Sequence, residues 1–308
     1  FSFVFARLFG APNHLANVLP TALASAGVVT LIYRLLVPAN RQWALLTVLL
    51  TLLTTQLLEK SRSVCLDQMV ALFCVVRFVL LDSVGRWRQL AVFPLFILGF
   101  AIRGPLGLIE VCGVVCVYWA LGKPGERVKQ VLIHGAVGLV LLAICWWLLM
   151  KLARISGGDA FADEVFRMQV GGRLDETGEP FYFYFQLSLY RYFPVVPLAL
   201  ATMIALRHRW SERFEGDLQW VARLGACGLM ILLGLSVPHF KRAYYILPMV
   251  PLFAAVAAYG LLQAQGWLVG EDVGHMPQVI RLLSQCADQG LVRMAQNVNG
   301  NAACEVDE

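Results

Sequence analysis

The chain has 308 residues, of which 59% are hydrophobic and 15% charged, with a net charge of +5 and a mean hydropathy of +0.68. Soluble domains carry about 25% charged residues, so this composition excludes an ordinary soluble globular protein. The cations stand singly or in pairs at the ends of apolar runs with no long basic block, which excludes a nucleic-acid partner.

Residues 1–13, with Phe1, Phe3, Phe5 and Phe9, read as a short interfacial approach. The opening Phe-Ser-Phe-Val-Phe has neither an initiator methionine nor the features of a signal peptide, so the expectation is that an N-terminal piece precedes it. Nine apolar segments follow, at about 15–37, 42–58, 64–82, 89–103, 105–121, 130–151, 183–206, 220–238 and 243–265. Most approach the roughly 20 residues that a helix needs to cross about 30 Å of hydrocarbon. The two that flank Arg103-Gly104-Pro105 are short. The fold expected is all-α: a polytopic membrane protein of about nine transmembrane helices with one longer outer loop and a short amphipathic C-terminal tail.

Gly- and Pro-punctuated turns join most segments, as in Gly122-Lys123-Pro124-Gly125. The longer loop, about 152–182, carries a surface helix over its middle, Phe161 to Val170, and Glu164 on it faces outward as an acceptor contact. It ends in Phe181-Tyr182-Phe183-Tyr184-Phe185, followed by Tyr190 and Tyr192, a density of aromatics that suits the headgroup level or stacking on a sugar or prenyl chain. Two domains are expected: 1–265 as the transmembrane unit and 266–308 as an amphipathic helix, Met276 to Met294, with a polar, disordered end. Of the eight cysteines, Cys65, Cys74, Cys112, Cys116, Cys145 and Cys227 lie in or beside apolar runs; Cys112 and Cys116 have neither a CxxC partner nor a nearby histidine, and the six read as packing residues.

With the N-terminus outside, the outer loops hold nearly as many cations as the inner ones, against the usual inward bias. Three outer junctions stand out: Lys60-Ser61-Arg62 with Asp67, Arg103-Gly104-Pro105, and Lys241-Arg242 with Tyr245. A carboxylate at the position of Asp67 needs a cation, and Arg62 is the nearest along the chain. Gly104-Pro105 opens a helix whose N-terminus favours anions. The three junctions together suit a phosphate clamp at the membrane edge, set against the plainer reading of snorkelling cations and interface tyrosines. Within the spans, Arg77 reads as snorkelling to the inner surface, and Glu110 as bordering a cavity or pairing internally.

Ser61-Arg62 with Asp67, Ile102-Arg103-Gly104-Pro105, Pro180-Phe181-Tyr182-Phe183-Tyr184 with Pro194, Leu19-Pro20-Thr21-Ala22-Leu23, and Lys241-Arg242-Ala243-Tyr244-Tyr245-Ile246-Leu247-Pro248-Met249-Val250-Pro251 carry a resemblance. In this order they resemble segments of the dolichyl-phosphate-mannose-protein mannosyltransferase and lipid A aminoarabinose transferase group, which are polyprenyl-phosphate-dependent glycosyltransferases of the GT-C class. The resemblance implies a multi-pass transferase of the inner (plasma) membrane. It would move a hexosyl or pentosyl group from a polyprenyl phosphate, such as undecaprenyl phosphate, to a lipid A or protein acceptor outside. It implies that Lys60, Arg62, Arg103, Lys241, Arg242 and Tyr245 hold the donor phosphate, with Asp67, Glu110 and Glu164 lining or supporting the site. The group's acidic base lies in a loop ahead of residue 1, so no catalytic base is named here. A divalent cation fits the chemistry, but no ligand cluster supports one. Two departures stand against the pattern: Asn17-Val18 replaces an expected arginine, and Arg103 replaces a lysine. A transporter or flippase of a lipid-linked anion, or an inactive relative, are the competing readings; the former should show internal repeats, and none is found.

Overall fold

The computed structural model describes residues 14–81, 90–122, 124–171, 179–207 and 216–268, and among them there is no strand. The helices are α1 (His14–Leu36), α2 (Arg41–Leu53), α3 (Thr55–Ser61), α4 (Leu66–Leu81), α5 (Val92–Arg103), α6 (Pro105–Ala120), α7 (Pro124–Phe166), α8 (Phe183–Arg191), α9 (Val195–Ala205), α10 (Gly216–Ser236) and α11 (Val250–Leu268). A π-helical turn, Arg167–Gly171, continues α7, and a 3₁₀ segment, Ala243–Met249, precedes α11. The expected approach segment and the tail helix at Met276 to Met294 lie outside the described residues.

Every apolar stretch read from the sequence is helical, but the number of crossings differs from nine. By length and composition four helices could cross a membrane, or six if each bent pair is one span. The stretch at 42–58 bends by 69° between α2 and α3, and that at 183–206 by 107° between α8 and α9. At the first break Thr51 and Thr54 turn their hydroxyls back to the carbonyls of Thr47 and Leu50, a bonding mode that bends helices. At the second, Pro194 brings no backbone N–H to continue the ladder. The segment at 243–265 starts as the 3₁₀ turn, with Pro248 inside it.

Helix α11 is the centre. Val250 to Ala258 are all buried, as a helix enclosed on every side requires, and alanines at 254, 255, 257 and 258 let its neighbours α2, α9 and α10 approach. Trp43 of α2 donates its indole N–H to the Ala255 carbonyl at 2.7 Å and meets the Tyr259 ring edge-on at 5.3 Å. Helix α7 is the opposite case. Leu132, Leu139, Val140, Trp147 and Ile155 are exposed along it, a surface that suits hydrocarbon rather than water. The chain is thus an all-α, multi-pass membrane protein.

The α5–α6 hairpin positions the site. Its arms rise only about 18 and 24 Å for 12 and 16 residues. Gly104, at φ 69°, makes the turn in a conformation that favours glycine, and Pro105 starts α6. The arms touch at Gly99 and Gly107: a Cβ on Gly99 would stand 2.7 Å from the Gly107 carbonyl oxygen. Gly107→Ala should therefore cost about 1–3 kcal/mol, read as a lowered unfolding temperature of the purified protein.

Candidate functional site

Arg103, the last residue of α5, sends its guanidinium into the bundle, where only 6% of its side chain is exposed. Nη1 lies 2.9 Å from Asp67 Oδ1 and 2.8 Å from Glu110 Oε2. Asp67 sits in the first turn of α4, where the helix dipole favours a carboxylate. Glu110 stands on α6, almost two turns beyond Arg103. One cation therefore ties three helices through two buried carboxylates. The Tyr245 ring, from the 3₁₀ segment, covers the guanidinium at 4.3 Å, adding a cation–π contact. Arg103 Nη2 and Glu110 Oε1 are buried without hydrogen-bond partners.

Above this cluster opens a cavity of about 610 Å³. Its walls are Lys60, residues 63–67 at the head of α4, residues 100–104 at the end of α5, Leu149 of α7, Gln169 of the π-helical turn, and Tyr244 with Tyr245. Lys60 Nζ pairs with Glu59 at 3.1 Å and stands 5.4 Å from the centre of the Tyr244 ring. Cys65, in the α3–α4 junction, is buried in the cavity wall.

A second network fixes the stretch that supplies the tyrosines. The Tyr184 hydroxyl donates to the Arg242 carbonyl at 3.1 Å and accepts from the Arg242 N–H at 3.2 Å. The Tyr192 hydroxyl donates to the Ala243 carbonyl at 2.6 Å. Lys241 Nζ donates to the Glu179 carbonyl at 2.8 Å, and burial lowers the pKa of its ammonium against the opposing pull of Glu179. Arg242 Nη1 donates to the Tyr244 hydroxyl at 2.8 Å, which raises the arginine's pKa.

The residues expected at the site thus divide. Lys60, Asp67, Arg103 and Tyr245 line one cavity, and Glu110 lies beneath it. Lys241 holds the Glu179 carbonyl and Arg242 the Tyr244 hydroxyl beside it, and neither side chain lines it. Arg62 is exposed at the end of α3, and the expected Arg62–Asp67 pair is corrected: Asp67 is claimed by Arg103, which reaches it from a neighbouring helix. Glu164 forms an exposed pair with Arg167 at 3.0 Å. Arg77 does not snorkel. It is fully buried, donating Nη1 to the Val114 carbonyl and Nη2 to Cys227 Sγ at 3.5 Å. The roles of Tyr184 and Tyr192 were hidden in an aromatic cluster that suits any interface, although Tyr184 and Tyr192 are buried and Tyr182 and Tyr190 are exposed. Among the described residues no group of three or more His, Cys, Asp or Glu side chains could hold a metal.

Removing the guanidinium should leave two carboxylates buried together. Arg103→Ala is expected to cost about 3–5 kcal/mol, with part of the loss restored when Asp67→Asn and Glu110→Gln are added. Thermal unfolding of the single and combined variants measures it; an additive series would refute the coupling.

No protein-family model matches the sequence, and no curated protein does. Two solved structures share the fold. ArnT from Cupriavidus metallidurans bound to undecaprenyl phosphate superimposes with a TM-score of 0.66 at 15% identity, covering 94% of this chain and 59% of that one. The same protein in the apo state gives 0.65 at 15% identity, covering 87% of this chain and 49% of that one. The chain spans between about half and three fifths of that protein's length, and the likeness shows a GT-C-like fold.

Proposed function

We propose that the chain forms the membrane core of a glycosyltransferase that takes a sugar from a polyprenyl phosphate and passes it to a lipid A or protein acceptor outside the inner membrane. The observation that carries this reading is the cavity of about 610 Å³ with Lys60 and Tyr245 in its wall, in a fold shared with a protein solved with undecaprenyl phosphate. In such a reaction the acceptor attacks the anomeric carbon and the bond from that carbon to the phosphate oxygen breaks. The lipid phosphate leaves with the electron pair, and a donor placed at that oxygen speeds departure. The acceptor's proton passes to a general base, a role given to none of the described residues.

Among the candidate cations, Lys60 meets the phosphate best. Its ion-pair partner among the described residues, Glu59, has a side chain 60% exposed, and a pair open to water is weak. Arg103 is surrounded differently. Two carboxylates outweigh its charge, so it braces the floor and offers at most its free Nη2. Lys241 and Arg242 add positive potential and hold Tyr244 and Tyr245 in place, while Arg62 contributes to the field at the rim. Asp67 and Glu110 fix Arg103, and Glu164 stands on the outer segment that an acceptor would meet.

The test is binding of undecaprenyl phosphate to the purified protein in nanodiscs. Lys60→Ala should weaken it about tenfold, the worth of one charge-assisted hydrogen bond. Tyr245→Phe should weaken it less, and Glu164→Gln should leave it unchanged. Equal affinity in the wild-type protein and Lys60→Ala would overturn the assignment of the phosphate site.

A further inference from the structure

A second concentration of positive charge lies away from the cavity. Arg77 is ten residues beyond Asp67 on α4, a rise of about 15 Å. Arg223 is thirteen residues before Ser236 on α10, and Tyr118 is thirteen beyond Pro105 on α6, each about 20 Å along its helix. All three therefore sit toward the far ends of helices whose near ends are at or beside the cavity. There the Tyr118 ring serves both arginines: the Arg223 guanidinium carbon lies 4.2 Å from its centre and that of Arg77 lies 5.3 Å from it. Arg77 also covers the Phe78 ring at 3.9 Å.

Among the described residues no Asp or Glu lies within ion-pair distance of Arg77 or Arg223, although both are at least nine-tenths buried. Two like charges enclosed beside one ring repel each other and lose hydration together, which is costly without an anion. The unsatisfied groups agree. Arg77 Nε, Arg223 Nε and Trp119 Nε1, the last on the ring packed against Tyr118 at 5.7 Å, are buried donors without partners. At the cavity end Arg103 Nη2 and Glu110 Oε1 are a donor and an acceptor together; here, among the described residues, they are donors alone, which is the complement of an anion.

We infer that Arg77 and Arg223 form a second anion site, for a phosphate group, toward the end of the bundle away from the cavity. Arg223 is the point of entry, since it keeps 9% of its surface open while Arg77 has none. Arg77 stands behind it, held by Val114 and Cys227, and supplies field more than contact. Trp220, tilted on Phe78 at 6.4 Å, adds an aromatic of the kind found at headgroup depth. The phosphate comes from a phospholipid headgroup or from solution, and the two sources are separable by experiment.

The test uses the whole purified chain in nanodiscs, followed by thermal unfolding. One arm compares phosphatidylcholine discs with discs containing phosphatidylglycerol; the other adds inorganic phosphate to phosphatidylcholine discs. A lipid source predicts a stabilisation by phosphatidylglycerol that Arg223→Gln abolishes, Arg223→Lys partly keeps and Lys60→Ala leaves intact. A soluble source predicts the same pattern with inorganic phosphate. An Arg77→Gln protein that fails to fold does not affect the reading, because the Arg223 variants decide it. Equal shifts in wild type and Arg223→Gln, no shift in either arm, or a shift removed by Lys60→Ala and kept by Arg223→Gln would each overturn the site.

Discussion

The structure depends on one guanidinium held between two carboxylates. Arg103 closes a hairpin too short to cross a membrane, and Asp67 and Glu110 reach it from the helices on either side. Charges buried this deeply are tolerated when each answers another, so the three side chains set the relative position of α4, α5 and α6 more strictly than apolar contact would. The glycines of the hairpin follow from the same requirement. Gly104 adopts the conformation that turns the chain immediately after Arg103, and Gly99 with Gly107 bring the arms together. The cavity rests on this floor.

Much of the fold was legible because hydrocarbon imposes a simple pattern. Helix forms wherever apolar residues run, since a backbone in lipid must satisfy its own hydrogen bonds. The bends were not legible. Hydropathy is blind to a hydroxyl that folds back on its own helix at Thr54, and Pro194 lies inside a run that stays apolar on both sides. The site was legible as residue types and not as pairs. Asp67 demanded a cation, and proximity along the chain favoured Arg62. Proximity in space gave it Arg103, thirty-six residues on. Arg77 gave the same lesson. Its place near a helix end pointed to the surface, whereas the neighbours that enclose it come from α6 and α10.

The two ends of the bundle differ in how their charges are answered. At the cavity, acids and bases are present together, and tyrosine hydroxyls tie down the backbone between Lys241 and Ala243. Such a network holds a fixed shape, as a site that orients a reacting group must. At the far end, aromatic faces and sulfur surround two arginines, and no acid among the described residues pairs with either. The first arrangement is internally compensated; the second, among the described residues, leaves its positive charge for the anion inferred above.

Helix α7 belongs to two environments. Its long apolar face is turned to the outside, yet Leu149 forms part of the cavity wall and the π-helical turn that continues it brings Gln169 beside Gly104. The partition between hollow and hydrocarbon is thus a single helix thick. A molecule with a polar head and a long greasy tail would not have to enter water to bring that head inward, because the tail can stay dissolved where it already was. Discrimination would then fall on the head, and tail length would matter little.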